Sequence, residues 1–267
     1  MDHIFRQLPR LDMFYRTNCQ CISPINRIFP TFLFYIRFLL VVFKASVKAQ
    51  QGQYDHASFH NSSLETLRAL ERAGICFNIN GIEHIKNLRT PCVIVANHMS
   101  MLETIILPSI IVPYKKMTFI VKESLMDYPV FKHILRSRQP IVVNRVNPRQ
   151  DLKAVLQEGV ERLRQGISVV VFPQTTRTRE FDPQKFNSIG VKLAGRAQVP
   201  VVPLALLTDA WGNGKLIKEF GKLDVARPVR FNFGKPLRLS AGGSQVQKEI
   251  ISFIQGNLEQ WRKLEKY

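Results

Sequence analysis

The stretch VIVANHMSMLE, residues 93–103, joins a short apolar run to a polar turn that carries a histidine. Its first residues are β-branched or small, which is typical of a buried strand in an α/β sheet. His98 follows this strand, at the carboxyl end where α/β sheets place catalytic groups. We predict that the Glu103 carboxylate, on the next helical turn, accepts a hydrogen bond from one imidazole nitrogen of His98. The other nitrogen would then be oriented as a base.

Similar apolar runs recur along the chain and alternate with helical patterns, which are clear at 150–164 and 245–263. Continuous apolar strands separated by helices predict an α/β fold with a mixed, largely buried β-sheet flanked by helices. The predicted strands are CVIVAN at 92–97, MTFIV at 117–121, PIVVN at 140–144, ISVVVF at 167–172, VPVVPLALL at 199–207 and VRFNFG at 229–234.

The run IFPTFLFYIRFLLVVF, residues 28–43, is apolar but shorter than the roughly 20 residues that a spanning helix needs. Continued as a helix to Lys48, it aligns Arg37, Lys44 and Lys48 in a basic stripe beside an apolar face. This pattern indicates an amphipathic helix that lies on an anionic membrane surface. The alternative is a helix packed on the body of the protein.

A second helix is predicted to begin at Ser62, because Ser62 and Glu65 have the spacing of a capping box, and to end at Gly74. The two helices would form a hairpin. We therefore divide the chain into a membrane-associating helical element, residues 1–74, and a catalytic domain, residues 75–267.

The chain of 267 residues carries a formal net charge of +18, which favours anionic partners. Anionic lipids, CoA phosphates, an acidic carrier protein and nucleic acid all qualify. Nucleic-acid binding is the minor alternative, since no zinc-finger spacing, RNP-type aromatic pair or heptad-bearing basic helix is present. The four cysteines lack metal-ligand spacing and are too few for a disulfide scaffold, so we expect reduced thiols.

Cations follow three of the predicted strands. Lys122 lies just past MTFIV and Arg145 just past PIVVN, while Arg177 lies in a turn with Thr175 and Thr176 after ISVVVF. Hydroxyls, amides and a cation in one turn are suited to hold a phosphate. If the strand ends converge, the three cations bind an anionic ligand. The alternative is that Lys122 and Arg145 are solvated loop charges.

These blocks, in this order, resemble the 1-acylglycerol-3-phosphate acyltransferase family of the glycerophospholipid acyltransferase superfamily. The family pattern Asn-His-x4-Asp is similar to NHMSMLE, and Phe-Pro-Glu-Gly-Thr-Arg is similar to FPQTTR. The matching segments are residues 97–103, 121–125, 140–145, 172–177 and 199–203.

The resemblance implies transfer of a fatty-acyl group from acyl-CoA or acyl carrier protein to a lysophospholipid hydroxyl, typically that of 1-acylglycerol 3-phosphate, giving phosphatidic acid. It implies a membrane-associated enzyme on the cytoplasmic face, in contact with anionic lipids, that needs neither metal nor cofactor. His98 would be the general base and Glu103 its orienting carboxylate. The implied substrate-binding residues are Asn97, Lys122, Arg145, Gln174, Thr175, Thr176 and Arg177.

Three positions depart from the family pattern: Glu103 stands for aspartate, Gln174 for glutamate and Thr175 for glycine. Gln174 leaves open a sister enzyme with another acceptor, such as glycerol 3-phosphate, a lyso-aminolipid or another lysophospholipid. The altered blocks also leave open a lipid-binding homologue without activity.

Overall fold

The computed structural model describes residues 14–18, 22–129, 131–174, 176–214 and 220–264. Its strands are β1 (Phe14–Arg16), β2 (Phe77–Asn80), β3 (Val93–Ala96), β4 (Met117–Lys122), β5 (Ile141–Val143), β6 (Ser168–Val171), β7 (Val201–Leu207) and β8 (Val229–Phe233). Its helices are α1 (Pro24–Ile28), α2 (Pro30–Gln50), α3 (His56–Ala73), α4 (Glu83–Lys86), α5 (Leu102–Ile111), α6 (Phe131–Ser137), α7 (Pro148–Arg164), α8 (Ile189–Ala197) and α9 (Gly243–Leu264).

The strands form a single mixed sheet in the order β1-β2-β8-β7-β3-β6-β4-β5. Five neighbouring strands, from β7 to β5, run parallel, whereas β8 is antiparallel to β7 and β1 is antiparallel to β2. The predicted mixed sheet flanked by helices is confirmed. All six predicted strands are present. The sequence interpretation missed β1 and β2, which are short and lie at one edge of the sheet.

Alternating strand residues enter two separate cores because successive side chains point to opposite faces of a sheet. Ile94 belongs to the core shared with α2, α3 and α5. Val93 and Val95 belong to the core shared with α7, α8 and α9. The sheet is therefore buried on both faces, which explains why its strands are continuous apolar runs.

The predicted start of the second helix at Ser62 is wrong. α3 begins at His56, and its N-cap is Asp55, whose carboxylate accepts a hydrogen bond from Ser58 N at 2.8 Å. A side-chain cap here supplies the first turn with an acceptor, so the helix starts six residues earlier. The predicted stop at Gly74 is confirmed, with a positive φ of 105° that suits glycine.

α2 buries one apolar face and exposes another. Phe34, Phe38 and Val42 pack into the protein core. Lys44 and Lys48 are exposed, whereas Arg37 is half-buried and donates to Asn26 Oδ1 at 3.1 Å. The helix is thus packed on the body, as the alternative interpretation held, but it also has an exposed apolar surface. That surface, here called the apolar ridge, consists of Ile28, Phe29, Phe32, Ile36, Leu39, Leu40 and Phe43.

Within the described ranges, none of the helices combines the length and the apolar character needed to cross a membrane.

The cysteines differ in state. Cys92 is a buried free thiol, and burial raises its pKa to about 11. Cys76 is disulfide-bonded, so the expectation of reduced thiols is wrong at that position. Cys19 and Cys21 lie outside the described residues.

Candidate active site

The loop that follows β3 is anchored at its first residue. The Asn97 amide donates to Leu206 O and accepts from Leu206 N, each at 2.8 Å, and so ties the loop to the neighbouring strand β7. Both the nitrogen and the oxygen of the amide are hydrogen-bonded within the protein. The side chain does not line the groove described below. Asn97 therefore positions the loop, and its predicted role in substrate binding stays a prediction.

His98 and Glu103 meet as the sequence predicts. Nδ1 of His98 lies 2.8 Å from Oε1 of Glu103. That oxygen also accepts from the backbone N–H groups of Met99, at 2.7 Å, and Ser100, at 2.9 Å. Because the loop wraps around the carboxylate and Glu103 lies in the first turn of α5, the longer side chain of glutamate fits where the family has aspartate. An anion is also favoured at a helix N-terminus.

The second carboxylate oxygen of Glu103 is held by hydroxyls. Oε2 accepts from Ser100 Oγ at 2.9 Å and from Thr208 Oγ1 at 2.6 Å. Burial of this fully enclosed carboxyl raises its pKa, but the hydrogen bond and charge of His98, followed by the bonds from Thr208 and Ser100, outweigh that effect. The pKa of Glu103 is therefore lowered, and the group stays ionised beside the imidazole.

Phe172 fixes the plane of the His98 ring by stacking on it, with ring centroids 4.4 Å apart and the planes 20° from parallel. Since Nδ1 is bound to Glu103, Nε2 is the nitrogen left to exchange a proton with a substrate. His98 lines a groove of about 860 Å³. The His98 side chain is 11% exposed, so it is not sealed off from that groove.

Gln174 connects the loop that follows β3 with the turn that follows β6. Its Oε1 accepts from His98 N at 2.7 Å, and its Nε2 donates to Thr178 Oγ1, also at 2.7 Å. Thr178 N in turn donates to His98 O at 3.0 Å. An amide accepts and donates at once, which a carboxylate cannot do. The glutamine thus works as a buried connector in this chain, although it also borders the groove.

The predicted cations converge. Lys122, Arg145, Thr176 and Arg177 all line the groove that His98 lines. Partial desolvation, and then the charge of Arg177, lower the pKa of Arg145, so the two guanidinium groups lie close enough to repel each other. Two like charges at one end of a groove are stabilised by an anion between them. Thr175, which the resemblance implies for the same turn, lies outside the described residues.

The backbone of Arg145 is held in the left-handed region, with φ of 61°. Asp151, in the first turn of α7, accepts from Asn144 N at 3.0 Å and from Arg145 N at 2.9 Å. These two bonds fix an unusual backbone conformation. The backbone position of Arg145 is therefore fixed by hydrogen bonds.

The groove also extends between β4 and the helices α2, α3 and α6, where many of the lining side chains are apolar. The sequence interpretation did not identify Ser100, Thr208 and Phe172 as parts of the site. Thr208 directly follows β7, so the strand-end argument that found the cations also applies to it. The apolar lining includes Phe38, Val41, Val42, Phe59, Phe131 and Ile134.

An imidazole oriented by a buried carboxylate, at the end of a parallel strand, is an arrangement suited to general-base group transfer. Residues 76–207 match the Acyltransferase family, and this domain of the chain belongs to that family. The resemblance stated from the sequence is confirmed.

Among the relatives, a 1-acyl-sn-glycerol-3-phosphate acyltransferase of Pseudomonas aeruginosa is 35% identical over 133 residues, which is 50% of each chain. The 1-acyl-sn-glycerol-3-phosphate acyltransferase beta of Homo sapiens is 28% identical over 131 residues, 49% of this chain and 46% of the human one. The chain thus spans about half the length of the curated relatives it matches.

A crystal structure of the 1-acyl-sn-glycerophosphate (LPA) acyltransferase PlsC from Thermotoga maritima is similar, with a TM-score of 0.63 and 20% identity. The match covers 89% of this chain and 97% of that one. At this identity the likeness shows a shared fold.

Proposed function

We propose that this protein transfers a fatty-acyl group from a thioester donor, acyl-CoA or acyl carrier protein, to the free hydroxyl of 1-acylglycerol 3-phosphate, giving phosphatidic acid. The observation that carries the proposal is the His98–Glu103 contact of 2.8 Å at a groove that Lys122, Arg145, Arg177 and many apolar side chains also line. The names of the relatives at 35% and 28% identity support the same acceptor.

The chemistry follows from the orientation of His98. Nε2 takes the proton of the acceptor hydroxyl while the hydroxyl oxygen attacks the thioester carbonyl carbon. The C–O bond forms, the C–S bond breaks, and the thiolate leaves with the proton that His98 returns. Glu103 stabilises the imidazolium formed between these steps, as an ionised buried carboxylate is placed to do. The scheme requires neither metal nor organic cofactor.

Arg145 and Arg177, with Lys122, would bind the acceptor phosphate. All three line the groove near His98, and guanidinium groups match the geometry of phosphate oxygens. Thr176 adds a hydroxyl to the same turn. A headgroup bound there would bring the neighbouring glycerol hydroxyl to the imidazole.

The proposal includes attachment to the cytoplasmic face of a membrane, and the apolar ridge supports the attachment itself. Its side chains are exposed on α1, α2 and the residue between them, and Lys44 and Lys48 continue the same helix with charges that suit anionic lipids. The opposite face of α2 contributes Phe38, Val41 and Val42 to the groove. A lipid leaving the bilayer beside α2 would therefore enter the site without crossing open water.

The direct test is to incubate purified protein with labelled acyl-CoA, or labelled acyl carrier protein, and a panel of acceptors. We expect the highest turnover with 1-acylglycerol 3-phosphate. Preference for glycerol 3-phosphate, a lyso-aminolipid or another lysophospholipid would replace the proposed acceptor with that one. Absence of transfer from a folded protein that still binds the lipids would favour the binding-protein alternative.

A further inference from the structure

The end of β7 holds the loop that follows β3 at three places. Asn97 binds the backbone of Leu206 through both polar atoms of its amide. Ser100 Oγ lies 2.9 Å from Thr208 O, and Thr208 Oγ1 donates to Glu103 Oε2 at 2.6 Å. β7 is paired with β3 on one side and with β8 on the other, so the sheet fixes the position of its end.

Two hydroxyl groups reach Oε2 of Glu103, and they differ in the other acceptors within their reach. Ser100 Oγ lies 2.9 Å from Oε2 and also 2.9 Å from Thr208 O, so its one proton serves one of two acceptors at a time. Thr208 Oγ1 is closer to Oε2, at 2.6 Å. Short hydrogen bonds to an ionised acceptor are among the stronger ones in proteins. Thr208 is therefore the stronger of the two hydroxyl donors to this oxygen.

The surroundings of Oε2 are closed to bulk water. Glu103 and Thr208 have no exposed surface, and Ser100 is 1% exposed. A buried carboxylate oxygen that loses a donor stays unsatisfied unless the side chain moves. Such a movement would alter the contact of 2.8 Å that the other oxygen, Oε1, makes with Nδ1 of His98. The orientation of the imidazole is therefore linked to the side chain at position 208.

We propose that Thr208 is a positioning residue for acyl transfer, because its hydroxyl holds the Glu103 carboxylate against Nδ1 of His98. The inference rests on the proposed function, since it assigns His98 the role of base. Thr208 does not line the groove, so it acts through Glu103 rather than on a substrate. Its loss lowers the fraction of molecules in which the imidazole is oriented for proton transfer and leaves the substrate-binding surface unchanged.

The test compares variants of Thr208 with a matched control elsewhere in the sheet. Thr208→Val removes the hydroxyl and keeps the branched shape of the side chain, whereas Thr208→Ser keeps the hydroxyl. Thr17→Val is the control, because Thr17 Oγ1 also donates to a glutamate, Glu71, at 2.6 Å and does not line the groove. Thr17 follows β1, which three strands separate from β3.

Proton NMR of the full chain detects the contact between His98 and Glu103 without any substrate. An imidazole N–H that donates to a carboxylate resonates far downfield, and the His98 signal is assigned by its absence from His98→Ala. We expect this signal in wild type, Thr208→Ser and Thr17→Val. In Thr208→Val it should shift upfield or disappear through exchange with water.

Steady-state kinetics give the second measurement. Thr208→Val should lower kcat about tenfold and change the KM of the thioester and the acceptor less than about twofold, because the hydroxyl orients the base without touching a substrate. Thr208→Ser should recover most of the lost kcat. Thr17→Val should match wild type in both constants.

In an active enzyme, an unchanged NMR signal or an unchanged kcat in folded Thr208→Val would overturn the inference. Thr208→Ala takes its place if the valine variant does not fold. An equal fall of kcat in Thr208→Ser and Thr208→Val would also overturn it, since the hydroxyl would then not be the cause. If wild type transfers no acyl group to any acceptor but the NMR signal responds to Thr208→Val, the proposed function fails and the positioning of His98 by Thr208 stands.

Discussion

Nδ1 of His98 and Oε1 of Glu103 lie 2.8 Å apart in a place where the carboxylate has no exposed surface. In the proposed mechanism, this contact determines which imidazole nitrogen carries the proton at rest, and it provides the negative charge that would stabilise the imidazolium during transfer. The carboxylate is held in turn by Ser100 and Thr208, so its position does not depend on the substrate.

Glu103→Gln should lower kcat about 10³- to 10⁴-fold, because the amide keeps the shape of the side chain but cannot stabilise an imidazolium. Steady-state kinetics with the preferred acceptor measure this effect. Glu259→Gln on the exposed side of α9 is the matched control and should retain wild-type turnover. Equal turnover in the two variants would remove Glu103 from the mechanism.

The stability of the protein should depend on pH through Glu103. The folded-state pKa of this carboxyl is lowered from an ordinary value of 4.5, so its ionised form stabilises the fold above that pH. The contribution is lost as the pH falls through the folded-state pKa. The difference in the free energy of unfolding between wild type and Glu103→Gln should therefore shrink under acid conditions. Urea unfolding from neutral pH downward measures it, and a constant difference would contradict the assignment.

Arg145→Ala and Arg177→Ala should each raise the KM for 1-acylglycerol 3-phosphate about tenfold or more, the effect of losing a hydrogen bond to a charged group. The KM for monoacylglycerol, which has no phosphate, should change little. Arg149→Ala serves as the control, since Arg149 is exposed in the first turn of α7 and does not line the groove. A rise that is equal for both acceptors would show that these arginines do not bind the phosphate.

Replacing Phe32 and Phe43 of the apolar ridge by Ser should reduce binding to vesicles of anionic lipid by more than about tenfold, since burial of each large apolar side chain stabilises the bound state by roughly 1.5–3 kcal/mol. Sedimentation with vesicles measures the binding. Leu264→Ser is the control, because Leu264 is also exposed but ends α9, on the other face of the sheet. Unchanged sedimentation would assign the ridge a role other than membrane attachment.

The position of the site could be predicted from the sequence because parallel strands bring their carboxyl ends to one edge. That rule predicts that His98, Lys122, Arg145 and Arg177 lie at one edge of the sheet, and all four line the same groove. It did not predict the role of Asn97, whose amide is taken up by Leu206 on a strand more than a hundred residues away. Pairings of that range are set by strand order, which local patterns do not specify.

The helical element was harder to predict for a similar reason. The capping spacing at Ser62 is a genuine local signal, but Asp55 supplies the observed cap, and Ser62 lies inside the helix. The apolar run of α2 is partly exposed, as an interfacial helix would be, but the sequence could not separate its core-facing side from its exposed side. That division depends on where α3 and the sheet lie.

The most direct test of the account is acyl transfer by His98→Ala with 1-acylglycerol 3-phosphate and labelled acyl thioester. Circular dichroism and the thermal midpoint should first show that the variant is folded like the wild type. We predict that turnover falls at least about 100-fold while lipid binding persists, because the variant lacks the base but keeps the groove. Turnover near the wild-type rate in the folded variant would contradict the central claim that His98 activates the acceptor hydroxyl.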